Sequence, residues 1–329
     1  MKKMKDKSVK NGRKGKNMGK YVFGVDVGGT SVKLGLFDVE GELLDKWEIP
    51  TRTENGGSAI LPDVAKSVKA KIAEKGIAVA DVAGVGLGAP GPIDAQGVVY
   101  NAVNLGWGVF SIKDTLSELL GLPVMAGNDA NVAALGEMWK GGGQGYKNVV
   151  AVTLGTGVGG GIIVEGKILT GSTGAGGEIG HIHVEDREEE ACNCKNFGCL
   201  EQYTSATGIV RLAKRRLAMD DKPSAIRRDK ISAKTVFDAV KAGDEVAMEV
   251  AKQFGEYLGK GLAAIAGVLN PEIFVIGGGV SKAGEVLFDY IVPPFKRTVF
   301  QGCRKVEFAL ATLGNDAGIY GAAKLVLGE

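Results

Sequence analysis

Histidine is almost absent from this chain, with two residues in 329, His181 and His183. Cysteine (four), tryptophan (three) and proline (nine) are also scarce. No uninterrupted apolar run reaches the ~18 residues a helical membrane span needs, so contact with a membrane is not expected. No G-x-x-x-x-G-K-[ST] segment occurs, which excludes P-loop NTPase chemistry. Without a secretory signal, the few cysteines argue against a disulfide framework and for a metal site in a cytoplasmic protein.

Glycine is abundant instead, at 52 residues, clustered between apolar runs rather than repeating. Such clusters mark tight turns and close ligand approach. Apolar residues make up 45% and charged residues 24%, as in ordinary globular proteins, and the length suggests about two domains. The net charge of +2 hides an asymmetry: residues 1–20 carry nine Lys/Arg and one Asp, leaving 31 basic and 37 acidic groups for the remainder. The first 20 residues therefore read as a disordered basic tail, neither signal peptide nor anchor, with nucleic-acid binding as the minor alternative.

The organising stretch is Gly127-Asn128-Asp129-Ala130-Asn131, between an apolar run and an amphipathic one. It reads as strand, turn and helix. Asn128 and Asp129 then sit at a strand's carboxyl end, where α/β proteins hold ligands, although Asn or Asp there can simply cap a helix. Two other stretches resemble each other. Tyr21–Val27 is a strand turned by Gly28-Gly29-Thr30, and Val149–Leu154 is a strand turned by Gly155-Thr156-Gly157. Each is followed by a return strand and a second glycine turn, which suggests two domains on one plan. Helices are expected over 60–75, 111–120 (stopped by Gly121), 200–219, 233–269 (broken near Gly243) and from the Asn315-Asp316-Ala317 cap onward.

The segment from Gly155 to Gly160 satisfies G-x-G-x-x-G, but a strand-like Gly161-Ile162-Ile163-Val164 follows where a dinucleotide site needs a helix. Glycine hairpins can instead cradle phosphate oxygens on bare backbone N–H groups, with Thr30 and Thr156 adding hydroxyls. Gly277-Gly278-Gly279 after a third strand adds to this, and Asp26 could hold Mg²⁺ through water. His181 with Cys192, Cys194 and Cys199 has the donors of a closed, structural zinc site, against the alternative of three reduced structural thiols. A polyol would find carboxylates, amides and an imidazole in Asn128, Asp129, Glu178, His181 and Glu201, with Asp129 placed to accept the proton of an attacking hydroxyl.

These motifs resemble the ROK family of bacterial sugar kinases and repressors, and within it the glucokinases. The matching stretches run in family order from Asp26-Val27-Gly28-Gly29-Thr30 through Asn104-Leu105-Gly106-Trp107 and Gly177-Glu178-Ile179-Gly180-His181 to Cys199-Leu200-Glu201 and Gly277-Gly278-Gly279. The resemblance implies an actin-like ATPase (ribonuclease H-like) fold of two α/β domains, at 21–135 and 136–314, with the final helix from about 315 packing back on the first. It implies ATP-dependent phosphorylation of glucose at the 6-hydroxyl, with Asp129 as general base. Asn104, Asn128, Asp129, Glu178, His181 and Glu201 are then sugar ligands. Gly28, Gly29, Thr30, Lys33, Gly155, Thr156, Gly157 and Gly278 contact the nucleotide. Homo-oligomers are expected. Fructose, mannose or N-acylmannosamine are alternative substrates, and a sugar-responsive repressor is a further alternative. Two departures stand out. Lys195 occupies a position where the family usually has glycine, and would be strained by ~1 kcal/mol if its φ is positive. The acidic run Glu188-Glu189-Glu190 is unusual and reads as a solvated loop, as does the basic cluster Arg211, Lys214, Arg215, Arg216, Arg227 and Arg228.

Overall fold

A computed structural model describes residues 19–227 and 230–328. The expectations for the basic stretch 1–20, apart from Gly19 and Lys20, and for Arg228 lie outside the described residues. The first half contains β1 (Tyr21–Val27), β2 (Ser31–Asp38), β3 (Leu43–Pro50), a helical turn α1 (Glu54–Gly57), α2 (Ile60–Glu74) and β4 (Val82–Ala89). A hairpin of β5 (Val98–Ala102) and β6 (Trp107–Ser111) follows, then α3 (Ile112–Leu120), β7 (Val124–Asn128) and α4 (Asp129–Lys140). The second half contains β8 (Val149–Leu154), β9 (Val158–Val164), β10 (Lys167–Ile168), α5 (Glu201–Thr204), α6 (Ala206–Leu217), α7 (Ala233–Lys241) and α8 (Glu245–Leu269). It closes with β11 (Ile273–Gly277), α9 (Val286–Thr298), β12 (Glu307–Leu310) and α10 (Ala317–Leu327).

The two main sheets run β3-β2-β1-β4-β7 and β10-β9-β8-β11-β12. In each, three strands form an antiparallel meander and two parallel strands extend it beyond the first. The similarity between the Gly28 and Gly155 turns thus extends to whole sheets. Parallel neighbours need crossover connections, and α2, α3, α5–α8 and α9 provide them. α2 buries Ile60, Leu61, Val64, Val68 and Ile72, a one-face helical stripe, in the first core. α8 buries Val246, Val250, Phe254, Leu258, Leu262 and Ile265 in the second.

Between the sheets lie α4 and α10, and here many of the glycines are explained. A Cβ on Gly24 or Gly86 would collide with the carbonyl of Ile319 or Ala322 in α10, and a Cβ on Gly136 or Gly321 would collide across the α4–α10 contact. These glycines serve helix approach rather than turns or ligands. The chain passes from one sheet's elements to the other's through 141–148, after α4, and back through 311–316, before α10.

Two helix expectations change. The helix expected over 200–219 breaks at Ser205, whose extended backbone lets its hydroxyl accept from Gly208 N and start α6. Asp316 does not cap α10 with its side chain. Its carboxylate pairs with Lys46 Nζ at 2.7 Å.

Candidate active site

Asn128 is the N-cap of α4: its Oδ1 accepts from Ala130 N at 3.0 Å and Asn131 N at 3.2 Å, while its Nδ2 donates to Gly91 O at 3.1 Å. The cap leaves the next residue available. Asp129, the first helical residue, accepts from Ala130 N at 2.8 Å through one oxygen and turns into the space between the sheets. Burial raises its pKa above the usual carboxylate range. The positive end of the helix dipole lies beside it.

Asp26 reaches the same space from β1, where it pairs in register with Lys33 of β2. Gly318 of α10 packs directly on its carboxyl group, leaving no room for a Cβ there. Burial raises the Asp26 pKa to about 6, with Lys33 lowering it and Asp129 raising it further. Lys33 Nζ donates to Asn315 O at 3.2 Å, joining β2 to the turn before α10. The neighbouring turn is closed by Gly28 N to Ser31 O at 3.0 Å and braced by Thr51 Oγ1 on Gly28 O at 2.7 Å, and it leaves Gly29 and Thr30 exposed.

Across the cleft, Gly155 N donates to Gly157 O at 3.0 Å. The turn is held from behind by α6: Thr207 Oγ1 donates to Thr156 O at 2.8 Å, and Ala206 N to Gly155 O at 2.8 Å. Glu201 Oε2 accepts from Val158 N at 3.3 Å, and a Cβ on Gly157 would press on that carboxylate. The intervening cavity, about 540 Å³, is lined by Asp26, Lys33, Asp129, Gly155, Gly157 and Glu201, together with Thr153, Gly314 and Asn315. A second cavity of about 480 Å³ shares Thr153, Gly314 and Asn315 with it and reaches Gly277, Gly278 and Gly279. Gly278 has φ +84°, and its Cβ position is filled by the backbone of Leu154. The Gly155 and Gly277 turns therefore open onto one continuous groove, which Asp26 and Lys33, on the strands that flank the Gly28 turn, also line.

Glu178 and His181 stand beside this groove, the latter joined to Glu201 through Oε1 at 3.9 Å from Nδ1. The His181 Nε2 faces Glu178 Oε2 at 3.9 Å. Asn104 is exposed on the turn between β5 and β6 and is not among the residues that line the two cavities.

His181, Cys192, Cys194 and Cys199 converge, each offering one donor atom within 4.8 Å of the others. A tetrahedron of ~2.3 Å metal–sulfur bonds has edges of about 3.8 Å. Cys194 and Cys199 Sγ are 3.6 Å apart, and Cys192 Sγ is 3.7 Å from His181 Nδ1. Three thiols and one imidazole at these separations fit a metal ion. Lys195, within the loop, has φ +75°, the left-handed conformation that favours glycine.

Two expectations of solvated surface hold for Glu189, Glu190, Lys214 and Arg215, which are exposed, and fail for Glu188 and Arg216. Glu188 is fully buried: its carboxylate pairs with Arg211 and Arg215 and accepts from the Tyr203 hydroxyl and from Glu190 N. Burial pushes its pKa up, but these donors outweigh it and hold the carboxyl at about 2. Arg211 also lies over the Tyr203 ring. Arg216 is likewise buried, paired with Glu249 and Asp220. The acidic run and the basic helix were read as separate solvated faces because nothing local in the sequence shows that they pair. Sequence reasoning also missed Thr153 and Asn315 in the groove and Thr207 behind the Gly155 turn; the Ser205-x-Thr207 pair before an apolar run was the available cap signal.

Residues 22–329 match the family model described as ROK family. The chain belongs to the ROK family. Among its ROK relatives, a glucokinase of Halalkalibacterium halodurans is 46% identical over 317 residues, covering 93% of this chain and 95% of the relative. The crystal structure of a ROK hexokinase from Thermus thermophilus superimposes with TM-score 0.77 at 33% identity, over 93% of this chain and 97% of that one. That of a ROK glucokinase from Streptomyces griseus, in complex with glucose and AMPPNP, gives TM-score 0.67 at 36% identity, over 93% and 98%. With its duplicated sheets, this ROK chain has the actin-like ATPase fold. The fold and family expected from the motifs hold.

Proposed function

We propose that this chain transfers the γ-phosphoryl group of ATP to the 6-hydroxyl of glucose. The observation that carries the reading is the convergence of Asp26, Asp129 and Lys33 on one cleft face opposite the Gly155–Gly157 turn, in a chain 46% identical to a glucokinase. Phosphoryl transfer asks a protein mainly to position groups and to stabilise charge. The fixed backbone turns do the first. Gly28, Gly29 and Thr30 from one sheet, and Gly155, Thr156, Gly157 and Gly278 from the other, would hold the phosphates and the nucleoside. The residue ranges 21–135 and 136–314, with 315–329 returning to the first, are the two bodies between which ATP and sugar would lie.

Asp129 is the general base. One of its oxygens is held by Ala130 N, and the other is available to accept the proton of the sugar hydroxyl as the new O–P bond forms. Its burial raises its pKa and so its proton affinity. Asn128, Glu178, His181 and Glu201 would bind the other hydroxyls, with Asn104 joining from its exposed turn when sugar is bound. Asp26 would hold Mg²⁺ through water; the metal supplies charge neutralisation at the phosphates, and the Asp26–Asp129 pair of raised pKa is suited to a divalent cation. Zinc is the metal that the cluster of three cysteines and His181 suits best. All four positions of a tetrahedron would be filled, so its part is structural. It would fix the loop that carries His181 and Glu201, with His181 Nδ1 on the metal and Nε2 free for a sugar hydroxyl.

The test is release of ADP from ATP and Mg²⁺ with glucose, fructose, mannose and N-acetylmannosamine offered in parallel. Preference for glucose supports the reading. Preference for another sugar keeps the mechanism and changes the substrate. Binding of sugar without turnover by any of the four contradicts it.

A further inference from the structure

We infer that Glu137 is a positioning residue for this reaction, a buried staple that ties the chain's two crossings into one pivot at the base of the cleft. Glu137 lies in the last turn of α4 and is only 4% exposed. Its Oε2 accepts from Gly142 N at 2.9 Å and from Thr312 N at 3.1 Å, and its Oε1 accepts from Leu313 N at 3.0 Å. Gly142 belongs to the outward crossing, 141–148. Thr312 and Leu313 belong to the return crossing, 311–316. One carboxylate therefore joins both places where the chain passes between the two sheets.

The surroundings are built for that carboxylate. Gly141 N and Gly143 N both donate to the Glu137 carbonyl, at 3.0 and 2.9 Å, wrapping the crossing around the residue. A Cβ on Gly141 would collide with the Glu137 carboxylate, and one on Gly142 would collide with the Leu310 carbonyl. Burying a carboxylate is costly unless charge-assisted hydrogen bonds offset it; three backbone N–H donors do so here. The staple also reaches the chemistry. Leu313 is followed by Gly314 and Asn315, which line both cleft cavities. The Asn315 carbonyl holds Lys33 Nζ, which faces Asp26. The position of one sheet's glycine turns against the other's carboxylates is thus set where Glu137 binds.

The kinetic part of the test rests on the kinase reading; the exchange part does not. Glu137→Ala and Glu137→Gln are compared with wild type and with Leu116→Ala, a core truncation in α3 away from the cleft, as a stability control. At saturating glucose and ATP, Glu137→Ala is expected to lose about tenfold or more in kcat, as misplacement of reacting groups does. Leu116→Ala, at a similar melting temperature, is expected to stay within about twofold. Glu137→Gln keeps one oxygen able to accept from Gly142 and Thr312, and its kcat should lie between. Hydrogen exchange should rise in both crossings together in Glu137→Ala, with α3 unchanged. Wild-type kcat in folded Glu137→Ala, a loss matched by Leu116→Ala, or faster exchange in one crossing alone would overturn the inference. If Glu137→Ala fails to fold, Glu137→Gln carries both readouts: a kcat below that of Leu116→Ala with both crossings loosened supports the staple, and wild-type values of both overturn it. A wild-type protein inactive on every sugar defeats the kinase reading and leaves the exchange result to decide the staple.

Discussion

Replacing Asp26 by Asn should make the ligand-free protein more stable at neutral pH while destroying its activity. The carboxyl sits near 6 when folded against an ordinary 3.8, because burial and the nearby Asp129 oppose its ionisation more than Lys33 favours it. Between those two values the folded state holds more protons than the unfolded one, so wild-type stability falls as the pH rises through that window and stays low above it. At about 1.4 kcal/mol per pH unit, the full penalty approaches about 3 kcal/mol, a ceiling because the cleft is open to water. Asn carries no charge and avoids the penalty. The stability difference between Asp26→Asn and wild type should widen by about 1.4 kcal/mol from pH 5 to pH 8. Urea unfolding of both proteins without sugar, nucleotide or Mg²⁺ measures it, since the other titrating groups are shared and cancel. A difference that does not change with pH, or a wild type that gains on the variant as the pH rises, would refute the reasoning. Mg²⁺ with nucleotide should stabilise the wild type more than the variant, because the cation offsets a repulsion that only the carboxylate suffers.

Glu188→Gln should cost about 1–3 kcal/mol, because the buried carboxylate loses its charge-assisted bonds to the half-buried Arg211 and the exposed Arg215; a melting temperature equal to wild type would contradict the pairing. The low pKa of Glu188 adds an acid limb: this stability is complete above the ordinary 4.5 and is lost as the pH falls toward about 2, which acid titration of wild type against Glu188→Gln would show. If the proposed zinc is bound, its removal by a chelator, verified by metal analysis, should lower the melting temperature and weaken glucose binding, because the loop carrying His181 and Glu201 would lose its anchor. An unchanged melting temperature after complete removal would exclude a structural metal.

The parts of the site legible in the sequence were those with local signatures. A strand ending in a glycine turn, repeated at Gly28 and Gly155, announced the duplicated sheets. Asn128 before an amphipathic run announced a cap, and the cap is what frees Asp129. The Cys192-x-Cys194 spacing with Cys199 and His181 announced a cluster of candidate metal ligands, which the fold brings together. The parts that stayed hidden depend on distant partners. Nothing local singles out Glu137, and only the meeting of 142 with 312–313 shows its use. Glu188 and Arg216 were misread for the same reason. Helix α9 was hidden by Pro293 and Pro294, which remove hydrogen bonds to the carbonyls four residues earlier; the Tyr290 carbonyl freed by Pro294 packs against Gly255 of α8, at a point where no side chain stands in the way. The β5–β6 hairpin had no Asn-Gly or Asp-Gly turn to reveal it.

The central claim is that Asp129 accepts the proton when ATP phosphorylates glucose. The most direct measurement is formation of glucose 6-phosphate by wild type and Asp129→Asn, together with the glucose affinity of each. The account predicts glucose 6-phosphate from the wild type, a loss of about 10²-fold or more in kcat for the variant, and glucose affinity within about tenfold, because a base acts in the transition state rather than in binding. Near-wild-type turnover by Asp129→Asn would contradict it.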